Sequence, residues 1–173
     1  DTYSFPYAMN AIFHVVSQVV SVVLEEQSRH KRLYCLRSVY FEMINQIRAD
    51  RVRFKEADRL QDIKQIPDIL IADMHTNNAR SDFLRPNDVC TWLLEKLEAE
   101  DSDQPVHLIL DLTLNNPCEK LVQEWVRRLS ANPRVNVYIV MSLTKLMQMG
   151  VDILSMGVCF AFGKDVVSLE TRH

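Results

Sequence analysis

Apolar residues along this chain follow two different periods. Between Tyr7 and Gln27 they fall at Ala8, Ile12, Val15, Val16, Val19, Val20 and Val23, the i, i+3, i+4 spacing of a helix with a buried face. "RLYCL" (32–36) predicts a short strand, "VYFEMINQIRA" (39–49) a helix and "RVRF" (51–54) a strand. "DILIAD", Asp68 to Asp73, is a continuous apolar run closed by an acid, as in a strand buried on both faces. A polar loop with "HTNNARSD" follows, and Pro86, Asn87 and Asp88 open a helix running through "VCTWLLEKLEAE". "VHLILDL" (106–112) is the clearest buried strand. "EKLVQEWVRRLSA" predicts an amphipathic helix with Leu121, Val122, Trp125, Val126 and Leu129 on one side. "VNVYIVM" (135–141) and "GVCFAFG" (157–163) complete the strands, the last closed by Gly163.

Strands alternating with helices of about ten to fifteen residues predict an α/β domain: three layers, with a mainly parallel sheet flanked by helices. In such sheets ligands bind beyond the carboxyl ends of the strands. Asp73, Asp111 and Ser142 each stand at such an end, followed by the loops "MHTNN", "LTLNNP" and "LTK".

Composition narrows the choices. A chain of 173 residues, 47% hydrophobic, suits one domain with its own core. The net charge of −3 gives no electrostatic case for nucleic acid or an anionic membrane. The apolar stretch 11–24 is interrupted by His14, Ser17, Gln18 and Ser21, too short and too polar for a membrane span. Cys35, Cys90, Cys118 and Cys159 are scattered, which predicts reduced thiols and a cytoplasmic setting rather than disulfides or zinc. The three glycines, Gly150, Gly157 and Gly163, all lie late in the chain, so no Gly-rich phosphate loop precedes them. The histidines show no metal-site spacing. His107 alternates into a strand as a satisfied core residue, and His75 reads as a hydrogen-bonded loop residue.

Taken singly, the strand-end residues have ordinary readings. Asp111 reads as a cap on the backbone N–H of Thr113 or Leu114; the alternative is a buried acid paired with a cationic ring nitrogen or a metal. Lys145, after Ser142 and Thr144, reads as a solvent-facing lysine at a capped helix start. The alternative places the two hydroxyls on a phosphate and makes the amine a nucleophile.

In combination, "LILDLTLNNP", "SLTK" and "MGVDILSMG" resemble fold type I pyridoxal-phosphate enzymes, nearest the cystathionine synthase and lyase family of cysteine and methionine metabolism. The matching residues are Asp111, Thr113 and Pro117, then Ser142, Thr144 and Lys145, then Gly150 or Val151, Asp152 and Gly157. "YAMNAI" sits where the family has a Ser-Gly-Met helix start that grips phosphate, with Ala8 in the glycine's place and Met9 beside it. Tyr40 matches a tyrosine that stacks on the pyridine ring, and Asn77 an asparagine after the strand end. The resemblance implies a fold like the large domain of pyridoxal-phosphate-dependent transferases. It also implies pyridoxal phosphate held as a Schiff base on Lys145, its ring nitrogen on Asp111 and its phosphate near Ser142 and Thr144. Elimination or replacement at the β or γ carbon of a sulfur amino acid follows as the reaction class, with a homodimer as the assembly.

The departures are specific. Ala8 crowds an approach that glycine leaves open. Asp111 and Lys145 are 34 positions apart, a longer interval than the family's, and no Gly-Gly-Thr follows Tyr40. Nothing in residues 1–173 corresponds to the family's small domain or N-terminal arm, so the chain is expected to be a fragment or a reduced version of the large domain. Two alternatives follow: a catalytically inactive domain serving as a protein-interaction or regulatory module, and an unrelated flavodoxin-like domain.

Overall fold

A computed structural model describes residues 2–5, 8–25, 32–36, 39, 44–45, 47–48, 53–73, 86–100, 103–113, 120–142 and 157–167. Its strands are β1 (Thr2–Phe5), β2 (Leu33–Leu36), β3 (Lys55–Ala57), β4 (Ile69–Asp73), β5 (Val106–Asp111), β6 (Val135–Ser142) and β7 (Gly157–Phe162). Its helices are α1 (Ala8–Glu25), α2 (Pro86–Ala99) and α3 (Lys120–Ser130), with a 3-10 turn at Leu60–Asp62.

The strands form one sheet in the order β1-β7-β6-β5-β4-β2-β3. The five strands from β6 to β3 are mutually parallel, while β7 runs antiparallel to both β6 and β1. Helix α1 packs against β1, β5, β6 and β7, and α3 against α2 and β6. The expected three-layer, mainly parallel α/β architecture is therefore what the chain adopts.

The central strands are buried throughout, which explains their unbroken apolar runs. Register sorts their few polar residues. Pairing of Ile69 with His107 and of His107 with Asn136 places Ile69, Ile71, Asp73, His107, Ile109, Asp111, Asn136, Tyr138, Val140 and Ser142 on one face. Leu70, Ala72, Leu108, Leu110, Val137, Ile139 and Met141 share the opposite face, which is wholly aliphatic. Most groups of the polar face bond to one another and to backbone, the buried Asn136 amide nitrogen being left without a partner among the described residues. His107 Nδ1 meets the Tyr138 hydroxyl at 3.2 Å, and the same hydroxyl accepts the Val167 N–H at 2.8 Å. Asn136 Oδ1 accepts the Asp165 N–H at 3.0 Å. His107 is thus the satisfied core histidine that its alternation predicts.

Two clasps close the opposite end of the sheet. Buried Asp68 accepts the Arg32 backbone N–H at 2.6 Å and the Arg32 guanidinium at 3.2 Å, and Gln104 donates to the same carboxylate. Arg134 donates to the carbonyls of Leu97 and Glu100, satisfying groups that the end of α2 leaves without helical partners.

Three elements differ from the sequence reading. β1 is absent from the apolar pattern, because four residues followed by a proline carry too little periodicity to read; β7 defines it by pairing. Of the strand expected at 51–54, residues 51–52 lie outside the described set and 53–54 are not in a strand; the strand here is Lys55–Ala57, an edge strand whose only buried residue is Ala57. Leu121, expected on the buried side of α3, is 48% exposed. It lies in the first turn, at the rim of the stripe that Val122, Trp125 and Leu129 bury. Of the helix expected at 39–49, residues 44–45 and 47–48 are helical and the others lie outside the described set, except Val39.

Candidate functional site

The candidate site is the carboxyl end of the central strands. Asp73 closes β4 and Asp111 closes β5, and the two are direct partners in the parallel register. Both are buried, at 4% and 5% exposure. Asp111 Oδ1 accepts the backbone N–H of Thr113 at 2.8 Å, an Asx-turn that sets the orientation of the carboxylate. This is one of the two capping bonds the sequence predicts for Asp111.

Beyond Asp111 the β5–β6 ladder changes character. The Leu112 N–H reaches Val140 O at 3.0 Å, as a strand bond would. The Ser142 N–H instead donates to the Thr113 side-chain Oγ1 at 3.0 Å. Asp111, Thr113 and Ser142 therefore form one hydrogen-bonded unit, and all three are buried.

Register brings a helix start to the same edge. Ser142 pairs with Gly157, and Gly157 pairs with Phe5, so the ends of β6 and β1 lie in one row. Helix α1 begins three residues after Phe5, at Ala8 and Met9, and has no acidic residue in its first turn. A helix start offers N–H groups and positive potential to an anion. A pair of buried carboxylates offers the opposite, a water-poor place for a cation. The edge can thus receive a molecule that is anionic at one end and cationic at the other.

Of the residues singled out from sequence, the structure brings Asp111, Thr113, Ser142 and the start of α1 to this edge. Tyr40, Asn77, Thr144 and Lys145, like His75 and Cys118, lie outside the described residues. Sequence reasoning places Asp73 at a strand end without a role; its alignment with Asp111 is a matter of register alone. The described cysteines, Cys35, Cys90 and Cys159, are free and buried, as expected. Burial pushes the thiols of Cys35 and Cys159 up to about 12, and raises that of Cys90 against the lowering effect of Arg128. They are not nucleophiles at neutral pH. Among the described residues there is no cluster of metal ligands, and no helix is long and apolar enough to cross a membrane.

No protein-family model and no curated protein sequence matches the chain. Solved structures do. An aromatic-amino-acid aminotransferase from Burkholderia pseudomallei, covalently bound to pyridoxal phosphate, superposes with a TM-score of 0.64 at 10% identity, over 94% of this chain and 42% of its own. The chain shares the mainly parallel α/β fold of that enzyme over about two-fifths of the enzyme's length. An aminotransferase from Anaerococcus prevotii gives a TM-score of 0.63 at 16% identity, over 94% of this chain and 42% of its own. A methionine gamma lyase from Micromonospora echinospora gives 0.57 at 12% identity, over 95% and 39%. The chain spans about two-fifths of the length of these structures. Aminotransferases and a lyase share the fold equally, so the likeness carries no preference for the cystathionine subfamily.

Proposed function

We propose that this chain is the pyridoxal-phosphate-binding core of an enzyme acting on amino acids, with elimination or replacement at the β or γ carbon of a sulfur amino acid as its reaction. The observation that supports it is the register row. In a fold shared with such enzymes, two buried acids, a hydroxyl and a helix start meet at one sheet edge.

The described residues suit the group. A protonated pyridine nitrogen needs a carboxylate kept from water, and Asp111 is buried with one oxygen already fixed. A phosphate needs N–H and O–H donors, and the α1 start and Ser142 supply them. Thr144 would add a hydroxyl, the Lys145 amine would be the point of covalent attachment, Tyr40 would stack on the ring and Asn77 would bond its hydroxyl. Lys145 follows Ser142 by three residues, a reach of about 11 Å at most. When bound, pyridoxal phosphate acts as an electron sink for a carbanion at the substrate's α carbon. In this chain Asp111 would hold a proton on the ring nitrogen, and the Lys145 amine would be the group to take or return the α proton. On this reading the substrate is an amino acid and the working unit a homodimer.

The test is borohydride reduction of the protein mixed with pyridoxal phosphate, followed by peptide mapping. One phosphopyridoxyl group on Lys145, lost in Lys145→Ala, is the expected result. Labelling spread over surface lysines, or none, overturns the assignment.

A second reading is a domain that keeps the fold without the chemistry, serving as an interaction or regulatory module. Ala8 favours it, because a methyl group stands where the resembling family leaves room for phosphate. Labelling at Lys145 that persists when free cofactor is removed argues against it.

A further inference from the structure

We infer that Thr113 is a positioning residue: it couples the orientation of the Asp111 carboxylate to the end of β6 at Ser142. The inference rests on the proposed function only for what it does to the cofactor. Its structural part stands on hydrogen bonds alone.

Thr113 makes two bonds in opposite directions. Its backbone N–H donates to Asp111 Oδ1 at 2.8 Å, and its Oγ1 accepts the Ser142 N–H at 3.0 Å. Both bonds are buried. The preceding contact, Leu112 N–H to Val140 O, belongs to the backbone ladder. Thr113 thus stands where the backbones of β5 and β6 stop bonding each other, and a side chain takes over the connection. The connection at this strand end is made by one β-branched side chain with a stiff χ1.

The two bonds meet in one residue. Rotating the Thr113 side chain away from Ser142 leaves a buried N–H without a partner, and moving its backbone releases Asp111 from the Asx-turn. The acid and the Ser142 backbone at the end of β6 are therefore both bonded to one residue. The resemblance read from sequence assigns Thr113 to cofactor binding. The hydrogen bonds give it a further task, because its oxygen accepts a backbone bond in the protein by itself, and its O–H is left as a donor.

Two measurements test this on the full chain. The first is amide hydrogen exchange at Ser142 in cofactor-free protein, with Leu108, in the middle of β5, as the reference amide. Thr113→Val and Thr113→Ala are expected to speed exchange at Ser142 tenfold or more while Leu108 stays unchanged, and Thr113→Ser to restore wild-type protection. Unchanged protection at Ser142 in the Val and Ala variants overturns the inference, as does loss of protection in Thr113→Ser.

The second is the pH midpoint of the visible band of the protein with bound pyridoxal phosphate. Thr113→Val is expected to move it by half a pH unit or more, and Thr113→Ser to leave it in place. A midpoint unmoved in Thr113→Val, with affinity alone reduced, makes Thr113 a direct ligand and overturns the positioning role. A wild-type protein that forms no band overturns the proposed function instead, and the exchange data then decide the strut by themselves.

Discussion

Asp73 and Asp111 occupy directly paired positions on neighbouring parallel strands, and both are buried. Two carboxyl groups so placed face one point of the sheet edge, where solvent screening is weak. Asp111 is tied to Thr113, and through it to the end of β6.

On the proposed reading, the second carboxylate strengthens the hold of the edge on a proton at the pyridine nitrogen. Removing its charge lowers the affinity for that proton. Asp73→Asn is expected to shift the pH midpoint of the bound cofactor's visible band downward by about one unit. Asp111→Asn shifts it further and weakens retention of the cofactor. A spectrophotometric pH titration of the two variants, side by side, decides. An upward or absent shift in Asp73→Asn counts against Asp73 facing the ring.

Gly163 closes β7 at φ 139, in a region that L side chains rarely adopt. A Cβ there meets Asn136 Oδ1, and lies 2.9 Å from both Val135 O and Asn136 Cα. Gly163→Ala therefore combines backbone strain with a clash against the neighbouring strand. A loss of about 2 kcal/mol or more is expected, read as a lower urea midpoint at constant m-value.

Asp68 holds Arg32 and Gln104 together where β2, β4 and β5 begin. Asp68→Ala leaves the Arg32 backbone N–H without its side-chain acceptor and the half-buried guanidinium without its counter-charge. About 3 kcal/mol of destabilisation is expected. Asp68→Asn keeps an acceptor for that N–H and is expected to cost less. Equal urea midpoints for the two variants would mean that the acceptor role contributes nothing.

The buried thiols predict an alkaline limit to stability. Cys35 and Cys159 ionise near 12 in the folded chain and near 9 when unfolded, because burial disfavours the thiolate. Above pH 9 the unfolded state releases protons that the folded state keeps, so stability falls as pH rises. Each thiol contributes roughly 1 kcal/mol per pH unit between the two values. Below pH 9 their contribution is constant. Comparing the slope of stability against pH in wild type and Cys35→Ala over pH 9–11 isolates one thiol, and a wild-type slope in the variant contradicts the assignment.

Much of this protein is legible from residue order. Continuous apolar runs at 68–73, 106–112 and 135–141 mark strands buried on both faces, and helical spacing at 120–130 marks an amphipathic crossover helix, because local periodicity reports what each segment must bury. The acids at the strand ends, and the chemistry that Asp111, Ser142 and Lys145 suggest together, are equally visible in the sequence. Tertiary structure decided what depends on register between distant segments. It paired β1 with β7 and so brought the start of α1 level with Ser142. It also set Asp73 beside Asp111, and gave the Thr113 hydroxyl to the backbone of a strand 29 residues away. None of these has a local signal, since a strand four residues long, a neighbouring carboxylate and a hydrogen-bond acceptor acquire meaning only from the strand that lies next to them.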